Sequence, residues 1–432
     1  MVGSDEACTS IALGIGVLEL EFHLRQINNL VITHIRLQRY KKHPNKQRYF
    51  SSITAAEIRW CSGKLQADLL FLSAFTNFAH VMTTDEQYMA RCLQLASNGR
   101  FDAPPNPMVG AVIVYKGKII GEGYHRKCGG PHAEVNAVRS VKDESLLRES
   151  TMYVSLEPCA HYGKTPPCAD LIVSKRIPRV VIGCRDSFDQ VDGKGIRKLR
   201  EAGVEVCVGV LEKECKDLNR AFFTFHGKRR PYITLKWAQS ADGYIDKERT
   251  SQADGDAVRF STSETAMSVH RLRALSDAIL VGRRTAHLDN PSLTTRLWPG
   301  NDPLRLVIDR DKKLDLGLKI FDGTAKTAVF TDVFRDYGDI DNVEQIPLDF
   351  GQNILHQMMD YLYEHKVQRL LVEGGSTLLQ SLLDNDLWDE AFVEEAPFRL
   401  GSGVKAPVVN SESVKESIGR FGHKIWHFLH EK

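Results

Sequence analysis

The sequence predicts an α/β protein of two successive domains, on three observations. From Pro107 onward, short apolar runs bounded by turn residues alternate with stretches of helical periodicity. The alternation restarts after a basic connector, His226-Gly227-Lys228-Arg229-Arg230-Pro231. And 432 residues accommodate two or three domains at about 150 residues each. The expected partition is an N-terminal extension over 1–81, a first domain over 82–226 and a second over 227–432.

Residues 1–81 differ from the rest of the chain. They combine an apolar start (Ile11 to Leu20), a basic stretch (Arg36 to Arg48) and a second apolar patch (Leu69 to Phe78). Asp5 and Glu6 stand where a signal peptide carries basic residues, and no small-residue cleavage site follows the apolar run. Met82 then precedes a clean helix start. Thr83 or Thr84 caps it, Glu86 or Gln87 follows three residues on, and Met89, Cys92, Leu93 and Ala96 recur at helical spacing until Gly99. The folded protein is therefore expected to begin close to Met82. N-terminal sequencing of protein from its native source tests this; retained, protease-resistant residues before Met82 would refute it.

Further strands are expected at Val109–Tyr115, Lys118–Tyr124, Thr151–Leu156, Arg179–Cys184 and Val204–Val210, with a Lys116-Gly117 turn. Helices are expected at His132–Val141, Cys168–Lys175, Gly193–Ala202 and Leu211–Phe225. The connector reads as a solvated linker, too short for a nucleic-acid patch. In the second domain strands are expected at Tyr232–Ala238, Ala278–Val281, Leu304–Ile308, Thr327–Thr331, Arg369–Val372 and Glu390–Glu395. Helices are expected there at Ser263–Leu275, Asn353–His365 and Thr377–Asp384. No repeat of 20 to 50 residues argues for a solenoid.

Bulk properties narrow the function. A net charge of +2 on a chain with 42% hydrophobic and 26% charged residues gives no electrostatic case for nucleic acid and favours a small-molecule enzyme. No apolar run approaches the roughly 18 residues of a membrane span. Nine cysteines, an odd number, suit reduced thiols in a cytoplasmic protein better than a disulfide framework.

The chemistry concentrates at His132-Ala133-Glu134, Glu157-Pro158-Cys159 and Pro167-Cys168. One histidine and two cysteines are zinc ligands that leave a fourth tetrahedral position open for water. A glutamate beside such a site carries the water's proton to a leaving amine. Together these parts describe hydrolytic deamination of a nucleobase-like ring. The competing reading is a closed structural zinc site, with Cys128 or His161 as fourth ligand; reaching from Cys128 needs a sharp turn through Gly129, Gly130 and Pro131. Both His132 and Cys168 are expected at helix N-termini, whose partial positive charge favours thiolate and hydroxide.

Signals in the second domain are individually weaker. Glu373-Gly374-Gly375-Ser376-Thr377 joins a strand to a helix and suits a phosphate, but lacks the Gly-x-Gly-x-x-Gly spacing. The stretch from Gly282-Arg283-Arg284-Thr285 to Asp289-Asn290-Pro291 and Arg296 sets cations and turn residues after a strand. The plain alternatives are a ligand-free turn and a solvated loop.

These stretches, with Asn106-Pro107-Met108-Val109-Gly110, Gly121-Glu122-Gly123-Tyr124-His125 and Gly163-Lys164-Thr165-Pro166-Pro167-Cys168, resemble the bifunctional riboflavin-biosynthesis deaminase–reductase family. Leu235-Lys236, Ser240-x-Asp242-Gly243, Leu293-Thr294-x-Arg296 and Val372-Glu373-Gly374-Gly375 extend the likeness, which covers 82–432 and none of 1–81. The resemblance implies a cytidine-deaminase-like three-layer α/β/α domain followed by a dihydrofolate-reductase-like α/β domain. It implies zinc-dependent deamination of 2,5-diamino-6-ribosylamino-4(3H)-pyrimidinone 5′-phosphate, then NADPH-dependent reduction of its ribosyl group. By motif match His132, Cys159 and Cys168 hold Zn2+, Glu134 shuttles protons, Asn106 and His125 line the substrate pocket, and Lys164 meets the phosphate. Arg273, Leu293, Arg296 and Glu373 match the reductase substrate side. Gln239, Thr285, Asp289, Gly374, Gly375, Ser376 and Thr377 match the cofactor side. The family's Ser-x-Trp before its Thr-Ser is replaced by Ala257-Val258-Arg259. A homodimer or homotetramer is expected, with neither nucleic acid nor membrane as partner. The alternatives are a deaminase with an inactive second domain, a nucleic-acid base deaminase and a zinc-stabilised binding protein.

Overall fold

The computed structural model describes residues 82–160, 162, 166–186, 193–334, 336–337, 340–410, 414–420 and 422–430. Residues 1–81, His161 and Lys164 therefore lie outside the described residues. The chain from Met82 opens with helix α1 (Thr84–Ser97), closed by a capping box. Glu86 N–H donates to Thr83 Oγ1 (3.3 Å) and Thr83 N–H to Glu86 Oε2 (2.6 Å), which satisfies two amides that a helix start leaves unpaired.

Next come β1 (Gly110–Tyr115), β2 (Lys118–Tyr124), α2 (Ala133–Ser140), β3 (Thr151–Leu156), α3 (Cys168–Ser174), β4 (Arg179–Cys184), α4 (Lys194–Glu201), β5 (Glu205–Val208), α5 (Glu212–Leu218) and α6 (Arg220–Lys228). The strands form one sheet in the order β2-β1-β3-β4-β5. β1 runs antiparallel to β2 and β3, whereas β3, β4 and β5 run parallel. Period-two alternation sorts the core onto both faces. Ala111, Ile113, Met152, Val154, Val180 and Ile182 pack against α2, α3 and α4. Val112, Val114, Tyr153 and Val181 pack against α1 and α5. This is the expected helix–sheet–helix sandwich.

Two expectations need correction here. The helix read as Leu211–Phe225 is two helices broken at Asn219. The Asn219 amide accepts from Met108 N–H (2.8 Å) and donates to Met108 C=O (2.9 Å), standing in for a backbone partner. The basic connector is not a solvated linker either. Helix α6 continues through Lys228, and Arg229 ends it in the left-handed region. Arg230, mostly buried, then forms a fork-on-fork ion pair with buried Asp389 at 2.6 and 2.9 Å. A cation with its counter-charge 159 residues away reads as surface charge when only neighbours are visible.

The remainder comprises β6 (Tyr232–Ser240), β7 (Tyr244–Asp246), α7 (Ser263–Ala274), β8 (Ala278–Gly282), α8 (Arg283–Asp289), β9 (Leu304–Ile308), β10 (Thr327–Thr331), β11 (Val343–Pro347), α9 (Ile354–Glu364), β12 (Arg369–Val372), α10 (Ser376–Asp384), β13 (Glu390–Ala396), β14 (Val404–Lys405), β15 (Val414–Arg420) and β16 (His423–Leu429). The large sheet has the order β11-β10-β9-β8-β12-β6-β13-β16-β15, and β7 pairs with β14 apart from it. Strands β11 to β13 of that order are parallel, and β16 and β15 close the edge antiparallel. α9 and α10 cover one face with Leu355, Met358, Leu362, Leu379 and Leu382. Ala286 of α8, Leu293, Leu314 and Phe321 cover the other. The stretch that the sequence leaves as loop after Gly282 is thus the short helix α8, ended by Asn290 in the left-handed region. Residues 82–432 form one compact unit.

Candidate active site

Helix α2 begins where Pro131 ends an extended segment, so His132 is its N-cap and Glu134 sits in its first turn. Cys159 follows the C-terminal end of β3, and Cys168 opens α3 behind Pro167. The expected convergence is present. His132 Nδ1 lies 3.6 Å from Cys159 Sγ and 3.3 Å from Cys168 Sγ, and the three ligand atoms lie within 4.8 Å of one another. Zinc bonds of about 2.0–2.3 Å give tetrahedral edges of roughly 3.3–3.8 Å, so this donor set fits zinc. Cys128 is exposed and outside the cluster, so among the described residues no fourth protein ligand closes the site.

Electrostatics follow from burial and from the sulfur pair. The Cys168 thiol and its backbone N–H (3.3 Å) both donate to Cys159, holding the Cys159 thiol well below the usual range; Cys168 is pushed up in return. His132 is raised by its hydrogen bond to Cys159. Burial pushes the Glu134 carboxyl up to about 7, so it both accepts and releases a proton near neutrality.

His125 and Asn106 meet beside this centre. Pro131 C=O can only accept, so His125 Nδ1 (3.1 Å) carries the proton and Nε2 accepts from Asn106 Nδ2 (3.0 Å). Burial lowers the His125 pKa, consistent with a neutral ring, which packs edge-on to His132 at 5.5 Å. Asn106, His125, His132, Glu134 and Cys159 all line one cavity of about 690 Å3, a volume ordinary for a metabolite. Lys164, expected at the phosphate, lies outside the described residues.

A residue that sequence reasoning passed over holds this geometry. Glu157, buried, accepts from the amides of Gly193 (3.2 Å), Gly195 (3.0 Å), Ile196 (3.2 Å) and Asp186 (3.4 Å). It ties the start of α4 to the strand end that presents Cys159. A Cβ at Gly195 would stand 1.9 Å from Pro158 O, so Gly195→Ala must displace the Pro158-Cys159 backbone. The expected result is zinc bound about 10- to 100-fold more weakly, the usual cost of disturbing the support of a ligand; competitive chelator titration measures it. The signal in the sequence was a glutamate directly before Pro-Cys, which is mute without its four donors.

The second set of residues gathers at the C-terminal ends of the adjacent parallel strands β8 and β12, where open α/β sheets take ligands. Arg273 and Glu373 pair bidentately at 2.7 and 2.6 Å, and Arg273 also donates to Thr294 C=O (3.1 Å), next to buried Leu293. Thr285 packs into the Gly374-Gly375 turn, where a Cβ on Gly374 would stand 2.8 Å from Thr285 Cγ2. That close approach, with Gly375 at φ +80, is a cradle that any side chain would fill.

Other expected residues are held by protein partners. Asp289 pairs with Arg249, Ser376 Oγ donates to Lys405 C=O (2.6 Å), and Trp237 Nε1 donates to Gln239 (2.8 Å). Arg296 and Thr377 are exposed, and Arg283 and Arg284 face Asp311 and Glu248 at 3.9 and 3.8 Å. Lys236, quoted from sequence only within the likeness and given no role, is largely enclosed with Nζ 3.8 Å from Glu394, and desolvation lowers its pKa. Glu394 also accepts from Ser261 Oγ (2.5 Å) and meets His423 Nδ1 (2.9 Å).

Fold and site together define a zinc-binding hydrolytic deaminase joined to a reductase-type α/β domain. The family described as the cytidine and deoxycytidylate deaminase zinc-binding region matches residues 82–184, and that described as the RibD C-terminal domain matches 231–424. The riboflavin biosynthesis protein RibD of Aquifex aeolicus is 38% identical over 338 residues, covering 77% of this chain and 93% of that protein. Its Escherichia coli counterpart is 37% identical, covering 74% and 90%. A Thermotoga maritima crystal structure described as a diaminohydroxyphosphoribosylaminopyrimidine deaminase/5-amino-6-(5-phosphoribosylamino)uracil reductase superposes with a TM-score of 0.71 at 36% identity, covering 80% and 98%. The chain belongs to the bifunctional riboflavin-biosynthesis deaminase–reductase family. No described helix is long and apolar enough to cross a membrane.

Proposed function

We propose that residues 82–226 deaminate 2,5-diamino-6-ribosylamino-4(3H)-pyrimidinone 5′-phosphate and that residues 227–432 reduce its ribosyl group to a ribityl chain with NADPH. The observation that carries the first step is buried Glu134 beside the His132–Cys159–Cys168 cluster in one metabolite-sized cavity. Zinc held by His132, Cys159 and Cys168 would supply a water of lowered pKa. Glu134 would then accept a proton beside the cluster and deliver one to the departing ring amine, a role its raised pKa suits. Asn106, with one amide hydrogen committed to His125, keeps its oxygen and second hydrogen for the pyrimidine edge.

For the second step NADPH supplies the hydride, and the protein supplies position and charge. The Gly374-Gly375 cradle and Thr285 receive the cofactor, while Lys236, Arg273, Leu293 and Glu373 face the sugar. Support for an active second half comes from the largely enclosed Lys236 and the desolvated Arg273–Glu373 pair, groups costly to keep without a ligand to meet. We further infer a cytoplasmic homodimer or homotetramer, as is usual in this family. A coupled assay tests the reading: wild-type protein releases ammonia from the diaminopyrimidine and then oxidises NADPH; a zinc chelator stops both signals on that substrate but spares NADPH oxidation on the pre-deaminated substrate. Ammonia without NADPH oxidation on either substrate would refute the reductase half.

A further inference from the structure

The deaminase cavity is not walled by the first sheet and its helices alone. Tyr363 and Glu364 at the end of α9, and Lys366 and Gln368 between α9 and β12, line it together with His132 and Glu134. Two contacts hold this segment in place. Gln368 Nε2 donates to Pro105 C=O at 2.7 Å, and the Tyr363 ring lies 4.7 Å from the Phe225 ring of α6.

Three features of Lys366 bear on its role. Among the described residues it is the one lysine or arginine lining the cavity. No described carboxylate pairs with its ammonium, Glu364 of the same wall included. And it occupies a backbone position that glycine normally fills. Helix α9 ends in a doubled turn, with Val367 N–H bonded to Leu362 C=O (2.9 Å) and Lys366 N–H to Tyr363 C=O (3.0 Å), which puts Lys366 in the left-handed region at φ +59. Arg176 and Asp386 end helices in equivalent turns, so a side chain is tolerated at this position and glycine is its natural replacement.

We propose that Lys366, supplied by the reductase half, binds the phosphate of the deaminase substrate. The inference rests on the deamination reading above. With the pyrimidine at Glu134 and Asn106, the sugar phosphate reaches the part of the cavity lined by Lys366, whose charge, with that expected of Lys164, complements a dianion. Phe222, Phe225 and Tyr363 add apolar wall to the same cavity. Lys366 is accordingly a substrate-binding residue that sets KM for deamination and leaves the proton chemistry at Glu134 alone. Among the described residues the remaining titratable groups on this cavity, Glu157, Asp186, His226 and Glu364, include no second fixed positive charge.

The test uses the full chain with Lys366→Glu and Lys366→Gly, following ammonia release from the substrate and from its dephosphorylated riboside. The expected result is a KM for the phosphorylated substrate raised about 10-fold or more, the weight of one charge-assisted hydrogen bond. The kcat should change little, and the penalty should vanish on the riboside. NADPH oxidation on the already deaminated substrate should stay at the wild-type level. Lys366→Gly separates binding from helix ending, because glycine suits the left-handed position and should leave the melting temperature unchanged or higher. A KM within twofold of wild type in both variants, or a penalty equal on the riboside, would overturn the proposal. Wild-type protein that releases no ammonia would instead overturn the deamination reading, and this inference with it.

Discussion

Glu134→Gln is expected to lower ammonia release by about 10²–10⁴-fold, the usual weight of a positioned general acid–base. Glutamine keeps the shape of the side chain in its buried place on α2 but can neither take the water's proton nor return one. The His132–Cys159–Cys168 cluster is untouched, so metal content measured by mass spectrometry should equal that of wild type. NADPH oxidation on pre-deaminated substrate should also be retained, because the Arg273–Glu373 pair lies on different elements. Loss of both activities together would mean that the substitution damaged the fold and not a proton relay.

The second large effect is expected at Arg273. Its guanidinium is 12% exposed and the Glu373 carboxylate 10%, so their attraction is little screened by solvent. Arg273→Met leaves Glu373 buried without its bidentate partner, at a cost of about 3–5 kcal/mol. Lys236 also holds the Glu373 pKa down, after Arg273 and against desolvation, which places the expected loss toward the lower end of that range. Urea denaturation monitored by fluorescence measures it. Adding Glu373→Gln to Arg273→Met removes the stranded charge and should restore much of the stability, whereas NADPH oxidation should remain lost. Recovery of activity in the double variant would refute a substrate-side role for the pair.

The parts that were legible in the sequence share a physical cause. Thr151–Leu156, Arg179–Cys184, Leu304–Ile308, Thr327–Thr331 and Arg369–Val372 are short apolar runs in sheet interiors, and a strand buried on both faces announces itself without alternation. The zinc cluster was legible because each ligand type is rare and each is placed by a local signal, a helix start or a strand end. Val343–Pro347, Val414–Arg420 and His423–Leu429 were not anticipated. They lie at or beside the sheet's edges, where polar residues and a terminal proline are tolerated. Partners distant in the chain were equally mute. Nothing local in Arg273 names Glu373, nothing in Arg230 names Asp389, and nothing in Gln368 names Pro105.

The position of β6 governs how such a chain can assemble. It is the first strand of the large sheet to be synthesised, yet both of its neighbours come late: Tyr232 pairs with Arg369 of β12, and Thr234 pairs with Glu390 of β13. The first sheet is complete by Val208 and is free to close while the rest of the chain is still being made. β6 must wait beside it with two bare hydrogen-bonding edges until the ribosome has delivered residues up to Ala396. Such long-range parallel pairing is slow and exposed to misassociation. A finished first half therefore spends much of translation tethered to an unfinished second, and the nascent strand is the place where a chaperone would have most to protect.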